Sequence, residues 1–284
     1  MRLASKSLPT GLVTLLLIST LTGLSGAGPA EARASKRKKP TASAPKGATT
    51  TPPAKTPAAP AATTACASKP IKVMPLGDSL TGFPDSYRGP LFRTLKAKGF
   101  NVDFVGSISQ PPTGGGDPDS NGWGGYRIGP DTIKDFAGAP ADLADHVDEW
   151  FKANPPDVVL LMIGTNDLAA GGDVTKAAPG KLKALIARVH ALAPAADLLV
   201  GDVPPYAAQF DGGPDQNAIN GVAEAASTPD GLIEHVAIFK RLHETIDKAT
   251  DYVDGIHFTP SGGEKLANAW LPELLPVLSR RACH

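Results

Sequence analysis

The sequence has few cysteines and none of the spacings that mark common metal or nucleotide sites. Only two of its 284 residues are cysteine, which excludes a scaffold held together by many disulfides. No Cys/His spacing suggests a zinc site, and no glycine-rich turn of the dinucleotide-binding form follows the first predicted strand. Hydrophobic residues nevertheless make up 42% of the chain, so it is not disordered throughout. The length fits one large domain or two small ones.

Net charge is absent as well, since 28 Lys and Arg residues balance 28 Asp and Glu residues. A neutral total argues against a nucleic-acid binder, but two segments of opposite charge are averaged in it. Residues 1–70 contain ten basic residues and one acidic residue, whereas residues 71–284 contain 18 basic and 27 acidic residues. The globular part of the chain is therefore acidic, and its countercharge lies in the N-terminal segment.

The apolar run near the N-terminus is too short for a membrane span. Leu12 to Leu24 is mainly apolar, but it is shorter than the roughly 20 residues that cross a bilayer. Ala30-Glu31-Ala32 follows, with small residues at the positions that a signal peptidase requires. Residues 1–32 therefore predict a secretory signal peptide, with an alternative cut after Ala27. We expect a secreted, extracellular protein that has no stable membrane insertion once the signal is removed.

Residues 33–67 are predicted to be a disordered, basic linker rich in Ala, Pro, Thr and Lys. The cluster Lys36-Arg37-Lys38-Lys39 has a second interpretation, electrostatic association with an anionic cell envelope. A solvated spacer is the interpretation that we favour. No aromatic residue interleaves these charges, so nucleic acid is not an expected partner.

The two cysteines bracket the predicted globular part of the chain. Cys66 lies just before the first predicted strand, and Cys283 is the penultimate residue. In an exported protein this arrangement predicts one disulfide that ties the two ends of the domain together. Two free thiols or an intermolecular bridge are the alternatives.

From residue 71 onward, short apolar runs alternate with segments of helical periodicity. Predicted strands cover 71–75, 102–105, 158–163, 197–203 and 235–239, and predicted helices cover about 87–98, a segment ending near 154, 179–193 and 260–278. The run Val158–Ile163 is uninterrupted and apolar, as in a central parallel strand that is buried on both faces. Pro272 and Pro276 predict a break or kink in the last helix. The alternation predicts one α/β domain over residues 68–284, with a parallel sheet covered on both faces.

The motif Gly77-Asp78-Ser79-Leu80 directly follows the first predicted strand. Functional loops of such sheets lie beyond the carboxyl ends of the strands. A serine at a tight strand-to-helix turn can present its backbone N–H to the carbonyl oxygen of a substrate. A plain turn is an equally good interpretation of these four residues alone.

The motif Gly164-Thr165-Asn166-Asp167 follows the central predicted strand. The side chain of Asn166 can donate an N–H to a developing oxyanion. An Asx-turn or a helix N-cap is the alternative for this residue.

The motif Asp254-Gly255-Ile256-His257 lies near the end of the chain. A histidine can take the proton of a serine only if its ring orientation is fixed, and a carboxylate three residues earlier can fix it. The other histidines lack such a setting and are expected to be surface or packing residues: His146, His190, His235, His243 and His284.

Together the motifs resemble those of the SGNH, or GDSL-type, hydrolases in their order along the chain and in their positions after predicted strands. The resemblance covers about residues 70–280. It implies a flavodoxin-like, three-layer α/β/α sandwich with a mostly parallel, five-stranded sheet. It also implies a carboxylic ester hydrolase that needs no cofactor and no metal.

The same resemblance implies a role for individual residues. Ser79 is the nucleophile, His257 is the base, and Asp254 is the carboxylate that holds His257. The oxyanion hole is formed by the N–H groups of Ser79 and Gly125 and by the side chain of Asn166. Gly122 is the second choice for the role of Gly125.

A narrower resemblance is to the family 3 carbohydrate esterases, which include acetylxylan esterases. It rests on the first motif together with Ser86-Tyr87-Arg88 and Val102–Ser107. Two departures flank the acyl pocket. This chain has Gly122-Trp123-Gly124-Gly125-Tyr126 where members of that branch tend to have Gly-His-Ser-Gly-Trp, and it lacks the Glu that many relatives have after Thr81.

We therefore expect a secreted serine esterase that removes acetyl or other short acyl groups from a polysaccharide such as xylan, through an acyl-enzyme. Its expected partner is an acylated glycan or a small ester, since an acidic domain suits neutral sugars better than polyanions. One alternative is a lipase, phospholipase or thioesterase on the same scaffold. Another is a catalytically silent glycan-binding protein of the cell wall.

Residues near the motifs are candidates for lining the substrate site. Asp78, Trp123 and Tyr126 are predicted to do so, and Phe83 is an additional aromatic candidate. The aromatic rings either stack on a sugar or pack the loops. For the Gly114–Gly116 loop with its two nearby aspartates, a flexible substrate-rim loop is favoured over a cation site.

Overall fold

The structure is a computed structural model that describes residues 69–131, 134, 141–206 and 210–282. The predicted signal peptide and most of the predicted linker lie outside these residues, as do Cys66 and Cys283, so the disulfide stays a prediction. The strands are β1 (Ile71–Gly77), β2 (Val102–Phe104), β3 (Ile108–Ser109), β4 (Asp119–Gly122), β5 (Val158–Met162), β6 (Asp197–Gly201) and β7 (Ile233–Val236). The helices are α1 (Ser79–Gly82), α2 (Arg88–Ala97), α3 (Val147–Ala153), α4 (Thr165–Ala170), α5 (Gly172–Leu192), α6 (Pro214–Ala225), α7 (Ile238–Thr245) and α8 (Pro260–Ala282).

Five parallel strands form the centre of the fold, in the order β2-β1-β5-β6-β7. β5 pairs with β1 over its whole length, from Val158 opposite Val73 to Met162 opposite Gly77. Every residue of β5 is buried, as its continuous apolar sequence predicts. The α/β fold with a mostly parallel central sheet is therefore confirmed.

The sheet has seven strands rather than the predicted five. β4 lies parallel to the end of β1, with Gly122 opposite Gly77, and β3 pairs antiparallel with β4. The sequence of β4, Asp-Ser-Asn-Gly, has no alternation of apolar and polar residues, so its local pattern predicts a loop. The last parallel strand covers Ile233–Val236 rather than 235–239, because α7 already begins at Ile238.

Alternate residues of the buried strands face two separate hydrophobic cores. On one face, Val158 and Leu160 of β5 belong to a core shared with α2, α7 and α8, which contains the fully buried Trp270. On the other face, Val159 and Leu161 belong to a core shared with α3, α5 and α6. The helices thus cover both faces of the sheet, and the predicted α/β/α layers are confirmed.

The last helix continues past Pro272 and Pro276 to Ala282, instead of ending at either proline. Its apolar residues recur every three or four positions, as at Leu266, Trp270 and Leu274, and all three side chains are buried. This packing stabilises a helix that local propensity disfavours, because each proline removes one backbone donor. None of the described helices is both long enough and apolar enough to cross a membrane.

Candidate active site

The three sequence motifs meet at the edge of the sheet where the parallel strands end. Ser79 begins α1 directly after β1, and Asn166 lies in the first turn of α4 after β5. His257 and Asp254 come from the connection between α7 and α8. The structure thus brings together side chains that are up to 178 positions apart in the sequence.

A chain of hydrogen bonds joins Ser79, His257 and Asp254. The distance from His257 Nε2 to Ser79 Oγ is 2.8 Å, and the distance from His257 Nδ1 to Asp254 Oδ2 is 2.7 Å. With Asp254 as an acceptor, Nδ1 carries the proton, so Nε2 accepts from the Ser79 hydroxyl. The geometry is that of a nucleophile, a base and an orienting carboxylate.

The carboxylate of Asp254 is held in its ionised form. Partial burial opposes ionisation, but hydrogen bonds from the His257 ring and from the backbone N–H groups of Ile256 and His257 outweigh it and lower the pKa of Asp254. The side chain is nonetheless 53% exposed. An ionised Asp254 favours the ring orientation that points Nε2 at Ser79.

A short hairpin carries both Asp254 and His257, and we call residues 252–258 the histidine hairpin. Tyr252 and Phe258 form an antiparallel bridge, and the N–H of Val253 donates to the carbonyl of His257 at 2.8 Å. The two functional residues therefore lie in a turn of fixed width, whose position depends on what holds the base of the hairpin.

The buried carboxylate of Asp251 clamps that base. It accepts hydrogen bonds from Lys265 Nζ at 2.6 Å, from Ser261 Oγ at 2.8 Å and from the N–H of Asp247 at 2.6 Å. Its backbone carbonyl accepts from the N–H of Thr259 at 2.9 Å. These bonds link the start of α8 to both ends of the hairpin, a contribution that the sequence motifs did not reveal.

On the opposite side, Ser79 lies in a tightly packed region that we call the serine corner, formed by residues 78–82, residues 122–125 and Asn166. Glycines allow its backbones to touch. A Cβ atom added to Gly122 would lie 2.3 Å from the Gly82 nitrogen, and one added to Gly77 would lie 2.1 Å from the Met162 carbonyl oxygen. The position of Ser79 is therefore set by direct contact between backbone segments.

Asp78 is buried in the serine corner rather than lining open surface, which corrects the prediction that it faces substrate. It is 1% exposed, and its Oδ1 accepts from the N–H of Leu80 at 2.9 Å, so it caps α1. Burial raises the pKa of Asp78 to about 7, against the hydrogen bonds from the Leu80 and Thr165 backbones. Its capping bond holds the turn that presents Ser79.

A second buried carboxyl group, Asp167, lies near Asp78. Its Oδ2 accepts from the N–H of Ile128 at 3.1 Å, and burial raises the pKa of Asp167 to about 6. The charge of Asp167 also contributes to the raised pKa of Asp78. Sequence reasoning assigned no role to Asp167, because nothing in its motif shows that the side chain turns inward.

Asn166 and Gly125 lie near one another in the serine corner. Asn166 Nδ2 donates to the carbonyl of Tyr126, the residue after Gly125, at 2.9 Å. Gly125 is exposed with a φ of 79°, in a turn closed by the N–H of Tyr126 and the carbonyl of Trp123. Within the described part of the chain, the Gly125 N–H has no acceptor. Gly122, by contrast, is buried in β4 against Gly82.

The fully buried Arg88 ties the nucleophile turn to the neighbouring loop. Its guanidinium donates to the carbonyls of Thr81 at 2.8 Å and Gly82 at 3.1 Å, at the end of α1. It also donates to the carbonyls of Pro118 at 3.0 Å and Gln110 at 3.3 Å. Burial lowers the pKa of Arg88. The sequence showed Arg88 only as part of a resemblance, without this anchoring role.

The predicted aromatic residues divide into exposed and packed ones. Phe83 is 46% exposed, and its ring stacks on the His257 ring with a centroid distance of 4.4 Å. Tyr126 is buried in the core, which corrects its prediction as a substrate-lining residue. Trp123 is partly buried and stacks on Trp150 and Tyr126. Among the described aromatic residues, Phe83 is therefore the one that presents a large exposed ring beside Ser79.

A small recess lies at the meeting point of the two sides. It is shallow and is lined by Ser79, Leu80, Phe83, Asp85, Ser86, His257 and Phe258. Among the described residues, no group of three or more His, Cys, Asp or Glu side chains could hold a metal ion. Asp117, next to the Gly114–Gly116 loop, accepts hydrogen bonds from the backbone N–H groups of Phe104 and Asp119.

Comparison with known proteins places this arrangement among ester hydrolases. Residues 76–265 match the GDSL-like Lipase/Acylhydrolase family. A multidomain esterase of Ruminococcus flavefaciens is 31% identical over 235 residues, 72% of this chain. A putative endoglucanase X of Acetivibrio thermocellus is 29% identical over 153 residues, 51% of this chain. The aligned regions cover 28% and 62% of the lengths of these two relatives.

Solved structures show the same fold. The family 3 carbohydrate esterase of Clostridium thermocellum has a TM-score of 0.62 and 30% identity, over 75% of this chain and 100% of its own. A carbohydrate esterase family 3 protein from Talaromyces cellulolyticus has a TM-score of 0.59 at 22% identity, over 74% of this chain and 99% of its own.

Proposed function

We propose an ester-hydrolysing function for this chain, which belongs to the GDSL-like lipase/acylhydrolase family. The observation that carries the proposal is the hydrogen-bonded chain from Ser79 through His257 to Asp254, next to a recess at the edge of the sheet. In the proposed reaction, Ser79 is the nucleophile of a serine esterase, and a covalent acyl-enzyme is formed and then hydrolysed.

The first half of the reaction forms the acyl-enzyme. The Oγ of Ser79 attacks the ester carbonyl carbon while Nε2 of His257 removes the hydroxyl proton. The resulting imidazolium is stabilised by the ionised Asp254 on its other nitrogen. The carbon–oxygen bond to the alcohol then breaks, and His257 returns its proton to the leaving alcohol oxygen.

The oxyanion forms on the carbonyl oxygen of the substrate during this attack and faces the serine corner. The N–H groups of Ser79 and Gly125 and the Asn166 side chain donate to it. The hydrogen bond from Asn166 to the Tyr126 carbonyl leaves the second hydrogen of the Asn166 amide available for this purpose. The site is thus organised before substrate binds.

The second half of the reaction releases the acid. Water enters the position of the departed alcohol, and His257 removes its proton as the water oxygen attacks the acyl carbon. The bond from the acyl carbon to Ser79 Oγ then breaks, and His257 returns the proton to Ser79. The products are one alcohol and one carboxylic acid, and the enzyme is regenerated.

The proposed substrate is a neutral polysaccharide that carries acetyl or other short acyl esters, such as acetylated xylan. The recess beside Ser79 is small and shallow, which favours a short acyl group over a long chain. The similarity to a family 3 carbohydrate esterase supports a carbohydrate ester. We further propose that the protein acts outside the cell, as the predicted signal peptide indicates.

The test measures hydrolysis of p-nitrophenyl esters from acetate to palmitate, together with release of acetate from acetylated xylan. We expect a preference for acetate, and Ser79→Ala should lower kcat by roughly 10⁴- to 10⁶-fold. Ser109→Ala, at an exposed serine of β3, is the matched control. A preference for long chains would instead support a lipase or thioesterase, and no turnover by the native protein would support a silent glycan-binding protein.

A further inference from the structure

A groove leads away from the recess at Ser79 across the surface formed by α2 and α8. The recess shares Asp85 and Ser86 with a second, small depression of about 30 Å³. That depression in turn shares Pro90, Arg93 and Glu264 with a third, open depression of about 390 Å³. The three depressions therefore follow one another without a gap in their lining residues, and we call them together the α2–α8 groove.

Small residues on the two helices shape this groove. Gly263 presses the first turn of α8 against the nucleophile loop, since a Cβ atom there would lie 2.3 Å from the Asp85 carbonyl oxygen. Beyond that contact, Ala97 of α2 and Ala267 of α8 line the third depression. Their short side chains leave the space between the helices unfilled at the surface.

Some of the polar side chains that line the groove have no hydrogen-bond partner within the described part of the chain. The side chains of Thr94, Glu264 and Asn268 make no hydrogen bond to described residues. Arg93 is held in place instead, because its NH1 donates to the carbonyl of Gly115 at 2.6 Å. The lining thus offers both donors and acceptors, and the charges of Arg93 and Glu264 balance.

This lining suits a neutral chain rich in hydroxyl groups. Sugar hydroxyls need donors and acceptors together, whereas an acyl tail needs a continuous apolar surface and a polyanion needs an excess of cations. The groove is also long enough for more than the reacting group, since Pro90 to Ala97 spans about 10 Å along α2 at the rise of an α-helix.

We propose that the α2–α8 groove binds the glycan chain that carries the ester, on the side leading away from Ser79. The proposal rests on the proposed esterase function and adds the direction in which the polysaccharide lies. The enzyme then gains affinity from sugar units beyond the acylated one, so longer acetylated oligosaccharides are better substrates than short ones.

The test compares kcat/KM for acetylated xylo-oligosaccharides of two to six sugars with kcat/KM for p-nitrophenyl acetate. We expect the value to rise with chain length in the native protein. The double variant Glu264→Ala/Asn268→Ala should lower the ratio of the hexasaccharide to p-nitrophenyl acetate roughly tenfold, mainly through KM, because two hydrogen bonds to sugar are lost.

A blocking variant checks the path of the groove. Ala97→Trp fills its far end and should reduce the advantage of the longest oligosaccharides, whereas Lys98→Trp, at an exposed neighbour outside the lining, should not. If hydrolysis were independent of chain length, or were unaffected by either groove variant, the proposal of glycan binding in the groove would be wrong, whereas the proposed esterase function would stand. If the native protein hydrolysed none of these esters, the proposed function itself would be wrong.

Discussion

The serine corner and the histidine hairpin position their functional groups by different means. In the serine corner, glycine backbones touch, and the buried Asp78, like the neighbouring Asp167, has a raised pKa. In the hairpin, Asp254 and Val253 are more than half exposed. The pKa values of Asp254 and of Asp251 at the base of the hairpin are lowered by hydrogen bonds that outweigh burial. One side is fixed by packing, the other by hydrogen bonds to charged groups.

The difference follows from what each side does in the proposed reaction. Oxyanion donors act best when they do not move as charge develops, and close packing provides such rigidity. His257 must instead accept and release a proton, which requires an ionised partner in Asp254. Stability and activity are therefore coupled in the serine corner and separable at the tip of the hairpin.

The largest expected effect separates activity from stability in the hairpin. His257→Ala should lower kcat by at least roughly 10⁴-fold, since the base is lost. The free energy of unfolding, from urea titration, should change by less than about 1 kcal/mol, because the ring is near the surface.

Gly122→Ala is the matching variant in the serine corner. Its Cβ would meet the Gly82 backbone, so it should lower both activity and the free energy of unfolding, by about 1–3 kcal/mol.

A smaller effect concerns the pH dependence of stability. The pKa of Asp78 is raised from 3.8 to about 7 in the folded protein. Within this window the folded state holds a proton that the unfolded state has released, so this group lowers the free energy of unfolding as pH rises. Asp78→Asn has no such group to titrate. As pH rises from 5 to 8, its free energy of unfolding should therefore increase by about 1–3 kcal/mol relative to that of the native protein.

Urea midpoints at both pH values measure this difference. The exposed Asp173→Asn is the matched control and should follow the native protein. The carboxylates of Asp254 in the hairpin and Asp251 at its base act in the opposite direction. The stability that they contribute is present above their ordinary pKa and is lost as pH falls through the lowered value. If Asp78→Asn had the native pH dependence, the carboxyl group would not be protonated in the folded state.

The smallest effect concerns the ring stacked on His257. A phenyl face attracts the imidazolium that forms in the transition state, by about 0.5–1 kcal/mol at exposed sites. Phe83→Leu keeps an apolar side chain but removes the ring, so kcat/KM should fall roughly two- to fivefold. Phe83→Tyr should retain the native rate, and Phe92→Leu, at a ring that packs on Phe104 instead, should leave it unchanged. Equal rates for Phe83→Leu and the native protein would contradict this role.

The central fold could be predicted because its signals are local. The apolar run of β5 indicates a strand buried on both faces by itself. β4 could not be predicted, because it forms through pairing with the end of β1 and contains only polar residues and glycine. The continuation of α8 past Pro272 and Pro276 likewise depends on burial against the sheet, which no local pattern contains.

In the candidate site, too, some features have a local sequence signal and others depend on tertiary contacts. The motifs predict that Ser79, Asn166 and His257 lie near one another, since two of them follow neighbouring parallel strands. The motifs do not show which way a side chain turns. Asp78 and Tyr126 point inward rather than toward substrate, and Arg88 reaches four backbone carbonyls from three segments of the chain. Such contacts depend on the packed fold.

The 178 positions between Ser79 and His257 have a consequence for how the protein is made. During synthesis the serine emerges early, but its base emerges only shortly before the final helix. The Lys265 contact that clamps the hairpin lies within that helix. A chain that stops before α8 still contains Asp254 and His257 but lacks the contacts of Ser261 and Lys265 to Asp251. Under the proposed mechanism, we expect Ser79 to be activated only once α8 has been made.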